Sequence, residues 1–468
     1  MVSFTLNGRR VEADCDPNTT LLGWLRERGM TGSKEGCAEG ECGACAVVLV
    51  RRDDDGKARL VPVNSCLFLL ASAADQEIVT VEGVANGALH PVQDAMVRLG
   101  GSQCGYCTPG FIMSLFAEYY RPGREESGFD LESVAGNLCR CTGYRPIRDA
   151  GRSLPMVGED DVWAKRLEQA PPTSSDVIIE RESAEGTTRR YFRPTTLNEA
   201  LALRASHPEA RIVCGGTDLV VEMNQLMRRF DTILSLEAVE AMHSWDDADD
   251  ALSIGGAVPL STVEARIHGQ IPILEALFPL FSSRLIRNRA TLGGNIATAS
   301  PIGDSPPALL ALGAEVIAAS EARGERTIPL SEFFTGYRQT ALEPDELIVR
   351  VRIPKPFPTL QRFYKVSKRV HDDISTVAAG FGLDMDDDGN VTAARLAYGG
   401  IAATPVRAEA AEQALIGKPL SAESIAAARL ALAGVYAPMT DQRGSADYRR
   451  AMIGSLLDKF LAEAGGAA

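Results

Sequence analysis

Gly36-Cys37-Ala38-Glu39-Gly40-Glu41-Cys42-Gly43-Ala44-Cys45 is the stretch from which this chain can be read. Three cysteines at C-x4-C-x2-C spacing lie among glycines at 36, 40 and 43, and a fourth, Cys66, follows two strand-like runs. This is the spacing of a plant-type [2Fe–2S] site. Soft thiolates suit iron bridged by inorganic sulfide. The glycines let a short loop fold tightly over a cluster, at positive φ where required, with its N–H groups turned to the sulfurs. The rival chemistry, zinc on four thiolates, usually takes two C-x2-C pairs, and the first spacing here is C-x4-C. Inert buried cysteines are the bland alternative.

A second set follows. Gln103-Cys104-Gly105-Tyr106-Cys107 stands between two helical patterns, one opening at His90-Pro91 and the next at Thr108-Pro109-Gly110. Gly136-Asn137-Leu138-Cys139-Arg140-Cys141-Thr142-Gly143-Tyr144 comes later. A C-x2-C and a C-x-C, each beside a helix terminus, make a second four-thiolate site, because the positive end of a helix favours the thiolate form. A thioredoxin-like redox pair is the alternative. It lacks the surrounding βαβ pattern and leaves the second pair unused.

Working outward, residues 1–81 read as a small β module. A hairpin turns at Asn7-Gly8, a capped helix runs from Leu21 to Glu27, and strands at 46–50 and 59–63 join through the acidic turn Asp53-Asp54-Asp55-Gly56. Cys15 is expected to be a surface or packing thiol. Residues 82–157 are helical. Residues 158–190 have a linker's composition, with an ordered segment draped over its neighbours as the other reading. Residues 191–354 are α/β. There Thr196-Leu197-Asn198-Glu199 reads as a capping box, and a strand runs through Arg211-Ile212-Val213-Cys214 into Gly215-Gly216-Thr217-Asp218-Leu219. Alone, that Gly-Gly turn is either an anion-binding loop or an ordinary turn. A second small-residue loop, Thr291 to Asp304, adds the glycines and hydroxyls that a dinucleotide's pyrophosphate and polyol require. Residues 355–468 form a last α+β piece with alanine-rich helices.

The 468 residues carry a net charge of −14. That argues against nucleic acid or an anionic membrane surface as the main partner. No run approaches the ~20 apolar residues of a membrane span. The first residues, Met1 to Leu6, lack the features of a signal peptide. The expected location is cytoplasmic, where cysteine groupings read as metal ligands rather than disulfides.

On these motifs the chain resembles the xanthine dehydrogenase (molybdenum hydroxylase) family. The resemblance implies a multidomain α+β architecture: a β-grasp [2Fe–2S] ferredoxin-like domain, a four-helix [2Fe–2S] domain, an α/β FAD-binding domain and a C-terminal flavoprotein domain. It implies one cluster on Cys37, Cys42, Cys45 and Cys66 and another on Cys104, Cys107, Cys139 and Cys141. It places Gln103 toward the pterin of a molybdenum cofactor. It further implies that Ile212, Val213, Cys214, Gly215, Gly216, Thr217, Asp218 and Leu219 lie along the FAD pyrophosphate. Phe281, Thr291, Gly294, Asn295, Asp304 and Lys365 are implied as further FAD contacts. Cys214, where the family usually has an apolar residue, reads as a buried small hydrophobe.

Tyr337-Arg338 and the loop His371-Asp372-Asp373 resemble residues near NAD; the bland reading of the loop is solvated charge. No stretch here looks able to hold molybdopterin. The resemblance therefore implies an iron–sulfur/FAD subunit with a large molybdenum-binding partner, expected as a dimer of heterodimers. Electrons would pass from purine oxidation to NAD, with no general acid or base in this chain. The alternatives are the same role in an aldehyde, carbon monoxide or N-heterocycle dehydrogenase, and a zinc-stabilised scaffold.

Overall fold

Strands β1 (Val2–Leu6) and β2 (Arg9–Ala13) form the hairpin read from the sequence. Asn7 and Gly8 turn it at φ 50° and 76°, the twist a two-residue hairpin needs. The computed structural model describes residues 1–53, 55–183 and 186–465; Asp54 of the acidic turn, Ala184-Glu185 and residues 466–468 lie outside the described residues. The chain divides into two compact units. One comprises residues 1–203, 209–239 and 283–290, the other residues 204–208, 240–282 and 291–468. Among the described residues no helix is long and apolar enough to cross a membrane.

In the first unit, β1 and β2 join β3 (Ala46–Arg52), β4 (Ala58–Asn64) and β5 (Glu77–Val79) in the order β2-β1-β5-β3-β4. The β1–β5 pair is parallel and the others antiparallel. Helix α1 (Leu21–Glu27) is capped by Thr20, whose hydroxyl accepts from the N–H of Gly23. It buries Leu21, Leu22, Trp24 and Leu25, with Trp24 edge-on to Phe4 at 5.4 Å. This is the expected β-grasp order. Cys15 is a packing thiol rather than a surface one: it is buried, and burial pushes its thiol up to about 11.

The helical part comprises α2 (Pro91–Arg98), α3 (Thr108–Tyr119), the single turn α4 (Arg124–Ser127) and α5 (Arg145–Arg152). His90 caps α2. Its Nδ1 accepts from the N–H of Val92 at 3.2 Å, and its own N–H donates to Gln93 at 3.0 Å. With Nδ1 accepting, the ring proton sits on Nε2, 2.9 Å from the Tyr120 hydroxyl, which donates to Asp161 at 2.8 Å. The ring packs edge-on to Phe116 and Tyr119.

The segment read as a linker is ordered where it is described. Helix α6 (Val162–Leu167) sets Trp163 against Phe116 at 5.2 Å and brings Arg166 Nε to 3.1 Å from Glu77 of β5. Strand β6 (Val177–Glu182) then pairs with β7 (Thr188–Arg193), so the next sheet begins before residue 191. That sheet has the order β6-β7-β9-β8, with β8 (Arg211–Val213) and β9 (Thr232–Ser235) parallel to each other and β9 parallel to β7. Helix α7 (Leu197–Ser206) opens on half of the expected capping box: Thr196 Oγ1 accepts from the N–H of Glu199 at 3.3 Å, while the Glu199 carboxylate accepts from the Thr196 hydroxyl at 2.8 Å rather than from its backbone N–H. Helix α8 (Leu219–Gln225) follows the Gly215-Gly216 turn.

The second unit contains an antiparallel sheet ordered β10 (Trp245–Asp247), β11 (Ala251–Gly255), β16 (Leu347–Pro354), β12 (Glu315–Ser320) and β13 (Gly324–Pro329). A small pair, β14 (Phe334–Gly336) and β15 (Gln339–Thr340), carries Tyr337-Arg338 at its turn. A second antiparallel sheet runs β17 (Leu360–Val366), β18 (Val377–Met385), β19 (Val391–Gly399) and β20 (Val406–Arg407). The alanine-rich helices at 409–415, 422–432 and 446–465 follow it. Phe381, Tyr398 and Phe460 form its buried aromatic centre.

Burial holds the His90 imidazole down to about 4, against 6.5 for a free histidine, and nearby Asp161 only partly offsets this. The unfolded chain therefore takes up a proton on this ring at higher pH than the folded chain does. Stability should fall as pH drops from about 6.5 toward 4. His90→Asn, which keeps a capping side chain but does not titrate, should flatten that dependence in thermal unfolding between pH 7 and 4.5.

Candidate functional site

The first cysteine loop is shaped by its glycines. A Cβ on Gly36 would stand 2.7 Å from Cys42 Sγ, and Gly40 turns at φ 87°. The backbone N–H groups of Glu39 and Cys42 point at Cys37 Sγ, at 3.5 and 3.4 Å. The thiols fall into two close pairs: Cys37 hydrogen-bonds Cys42, and Cys45 Sγ is 3.3 Å from Cys66 Sγ. In each pair one thiol is drawn toward thiolate. Cys37 is held at about 5, chiefly by Cys42 and further by backbone N–H groups, and Cys45 is lowered chiefly by Cys66.

The second set repeats the arrangement at the surface. Cys104 pairs with Cys141, both exposed, and Cys107 with Cys139, half-buried and buried. The hydroxyl of Thr142 lies 3.1 Å from Cys139 Sγ. Cys107 is the N-cap of α3, and Gln103 is exposed beside it. Among the described residues, no three His, Cys, Asp or Glu side chains gather as ligands of one ion. Two pairs of thiolates are what a two-iron cluster takes, since each iron of a [2Fe–2S] centre has two protein ligands. The donor sets fit that group.

The two loops touch through backbone. A Cβ on Gly110 would lie 2.1 Å from the Gly43 carbonyl, and one on Gly43 would lie 2.3 Å from that of Gly136. The N–H of Leu138 donates to the Cys42 carbonyl at 3.0 Å, and the Asn137 amide reaches that of Gly43 at 3.2 Å. A depression of about 230 Å³ is lined by Cys104, Cys107, Cys139 and Cys141 together with Gly36 and Cys42. Cys42 and Cys139 are thus joined by one hydrogen bond and a single intervening residue.

Gly215 is gripped on both sides. Its N–H donates to Glu237 at 3.0 Å, and its carbonyl accepts from Arg289 Nε at 3.1 Å. Arg289 pairs with Glu237 at 2.6 and 3.3 Å and lies over the Phe68 ring at 4.3 Å. Arg51 faces the same carboxylate. Burial and the charge of Arg289 hold it down to about 10. Burial pushes the Glu237 carboxyl up, but Arg289, Arg51 and the Gly215 N–H outweigh it and keep the carboxyl low. The Gly215 N–H is therefore committed to protein. Among the described residues the N–H groups of Gly216, Thr217 and Asp218 have no protein acceptor, and it is these that suit an anion. Ile212 and Val213 end β8, Leu219 opens α8, and Cys214 is half-buried rather than buried.

The other residues expected at FAD lie in the second unit. Thr291 caps the helix Leu292–Ala297 by accepting from the N–H of Gly294 at 3.1 Å. Asn295 Oδ1 accepts from Ser305. Asp304 and Lys365 form a buried pair at 2.7 Å, and Ser375 also donates to Asp304. Burial pushes the Asp304 carboxyl up, opposed by Lys365. Lys365 also donates to the Leu280 carbonyl at 2.8 Å, just before Phe281.

The loop at 371–373 is more than solvated charge. His371 Nδ1 lies 3.1 Å from the Pro279 carbonyl, and Asp372 accepts from Ser282 at 3.0 Å. Asp373 accepts the N–H groups of Lys368, Arg369 and Ile374. Tyr337 is exposed.

Four protein-family models match, in chain order. They are the 2Fe-2S iron–sulfur cluster binding domain over 4–71, the [2Fe-2S] binding domain over 80–152, the FAD binding domain in molybdopterin dehydrogenase over 184–356, and the CO dehydrogenase flavoprotein C-terminal domain over 362–464. The chain belongs to the molybdenum hydroxylase family. It corresponds to the iron–sulfur and flavin portion, with two [2Fe–2S] domains and an FAD-binding domain.

Xanthine dehydrogenase from Drosophila subobscura is 34% identical over 97% of this chain, and that from Emericella nidulans 33% over 89%. The chain spans 38% and 35% of the length of these relatives. Among solved structures, carbon monoxide dehydrogenase from Hydrogenophaga pseudoflava matches at TM-score 0.56 and 28% identity, over 59% of this chain and 96% of that one. Quinoline 2-oxidoreductase from Pseudomonas putida 86 matches at 0.54 and 30%, over 59% and 97%.

Sequence reasoning missed Asn224 and Gln225 of α8. Asn224 Nδ2 donates to the carbonyls of Ala38 and Cys66, both at 2.9 Å, and Gln225 Nε2 to that of Cys37 at 2.8 Å. It also missed Glu237 and Arg289. The 36–45 motif carries no signal for any of them.

Gly110→Ala should force α3 from the Gly43 carbonyl, costing about 1–3 kcal/mol and lowering iron content per purified chain. Glu237→Leu strips Arg289 of its buried counter-charge. It should cost about 3–5 kcal/mol in urea unfolding, with a fall in flavin retained per chain.

Proposed function

We propose that this chain is the iron–sulfur/FAD electron-transfer subunit of a cytoplasmic xanthine dehydrogenase. Its large molybdenum-binding partner would oxidise hypoxanthine and xanthine, with NAD as the electron acceptor and a dimer of heterodimers as the assembly. Colinearity carries this reading. The Drosophila xanthine dehydrogenase aligns across 97% of this chain, through both cysteine sets and the flavin portion, whereas the carbon monoxide dehydrogenase and quinoline 2-oxidoreductase chains cover 59%.

In this reading Cys37, Cys42, Cys45 and Cys66 hold one cluster, and Cys104, Cys107, Cys139 and Cys141 the other. Ile212 to Leu219, with Phe281, Thr291, Gly294, Asn295, Asp304 and Lys365, bind FAD. When bound, the clusters supply one-electron carriage and the flavin supplies two-electron hydride chemistry. The chain's own residues hold and insulate. Cys104 and Cys141 are exposed, as ligands facing a partner must be, while Cys45 and Cys66 are buried away from water. Lys365, buried against Asp304, anchors the Leu280 carbonyl just before Phe281. No proton-transferring residue is assigned.

The same role beside another hydroxylase's partner is the second reading, favoured by the likeness to quinoline 2-oxidoreductase at 30% identity. Purified protein should show flavin bands over a broad iron–sulfur envelope, with about four iron per chain. Mixed with its molybdenum-binding partner, it should reduce NAD with xanthine. Turnover with a different heterocycle or an aldehyde, and none with xanthine, would shift the assignment to the second reading. A colourless zinc protein would end both.

A further inference from the structure

The first cysteine loop is held from outside its own domain by one short helix. Asn224, near the end of α8, uses both hydrogens of a single amide nitrogen, one on the Ala38 carbonyl and one on the Cys66 carbonyl, each at 2.9 Å. Ala38 follows Cys37, a member of the first thiol pair, and Cys66 belongs to the second. One side chain therefore ties together the backbone arms that carry ligands of both pairs. Gln225 adds a bond to the Cys37 carbonyl at 2.8 Å. The same helix starts directly after the Gly215–Asp218 loop. A Cβ on Gly216 would lie 2.9 Å from the carbonyl of Leu67, the neighbour of Cys66, so loop and ligand are in backbone contact as well.

We propose that Asn224 is a positioning residue for electron transfer, setting the reduction potential of the Cys37/Cys42/Cys45/Cys66 centre and its placement against the 215–218 loop. This rests on the assignment of those four cysteines to a [2Fe–2S] cluster. The physical basis is electrostatic. Reduction adds a negative charge, and amide N–H groups directed at ligand-bearing backbone lower its cost. Asn224 contributes two such N–H groups and, as an amide, no opposing charge. An oxygen in place of that nitrogen would face two carbonyl oxygens and bring a negative charge.

Asn224→Asp preserves shape and reverses the interaction, and is read by redox titration of the purified protein followed by electron paramagnetic resonance. The midpoint of the first centre should fall at least tenfold in the reduction equilibrium, about 59 mV for one electron. The centre at Cys104, Cys107, Cys139 and Cys141 should keep its potential, and flavin content should not change. An unmoved first potential, an equal shift in both centres, or loss of both signals overturns the proposal. If Asn224→Asp loses only the first centre, Asn224→Leu, which removes both N–H groups without adding a charge, is read instead. A fall in the same potential sustains the proposal and no shift defeats it. Wild-type protein without any iron–sulfur signal would instead defeat the ligand assignment, which keeps the two failures apart.

Discussion

The two cysteine loops meet along a seam too narrow for side chains. Gly43 faces Gly110 on one side and Gly136 on the other, and at each contact a methyl group would come within 2.3 Å of a carbonyl oxygen. Backbones that approach so closely admit only glycine, and Gly43 also takes φ 65°. Much of the first unit follows from this seam. It sets the start of α3, whose N-cap is Cys107, against the 36–45 loop. It also places the Leu138 N–H on the Cys42 carbonyl, one residue from Cys139. Asn137, buried with its amide on Gly43 and its carbonyl oxygen on Ser114, locks the arrangement. Two donor sets that are separate in sequence become neighbours joined by peptide and hydrogen bonds.

Buried charge plays the corresponding part around the Gly-Gly turn. Arg289 and Glu237 would be costly to bury apart, and their bidentate geometry offsets part of that cost. Their remaining capacity is spent on the Gly215 N–H and carbonyl, so a residue at φ 88° is held without help from any ligand. Arg51 and Arg289 against one carboxylate leave positive charge beneath the turn. In the second unit Lys365 and Asp304 do similar work, with Lys365 anchoring Leu280 and Ser375 completing the carboxylate's bonds. Each pair immobilises backbone next to residues proposed to bind FAD, and preorganisation of that kind lowers the ordering cost of binding.

Much of the fold was legible because it is written in short-range patterns. Asn7-Gly8, the Thr20 and Thr196 caps and the proline-started helices at 91 and 108 are local rules obeyed locally. The segment 158–190 shows where such reading stops. Its composition is a linker's, yet Trp163, Arg166 and β6 find partners at Phe116, Glu77 and β7. Residue composition reports on autonomous folding, and this segment is ordered by surfaces it did not have to supply. The loop at 371–373 is similar: its charges read as solvated until Ser282 and the backbone N–H groups of 368, 369 and 374 are seen beside them.

The eight cysteines proposed as ligands, their spacing in two sets and the family they mark were legible in the sequence alone, because residue type and spacing are properties of contiguous residues. Tertiary structure alone decided what surrounds those ligands. Asn224 is 186 residues from Ala38 and 158 from Cys66, and Arg289 is 74 from Gly215. An amide or a guanidinium has no periodic signature, and its partner here is a backbone group that every residue carries. Only folding brings the donor to one particular carbonyl among hundreds, and for that reason the 36–45 motif announced its metal chemistry while the residues that hold it in place stayed silent.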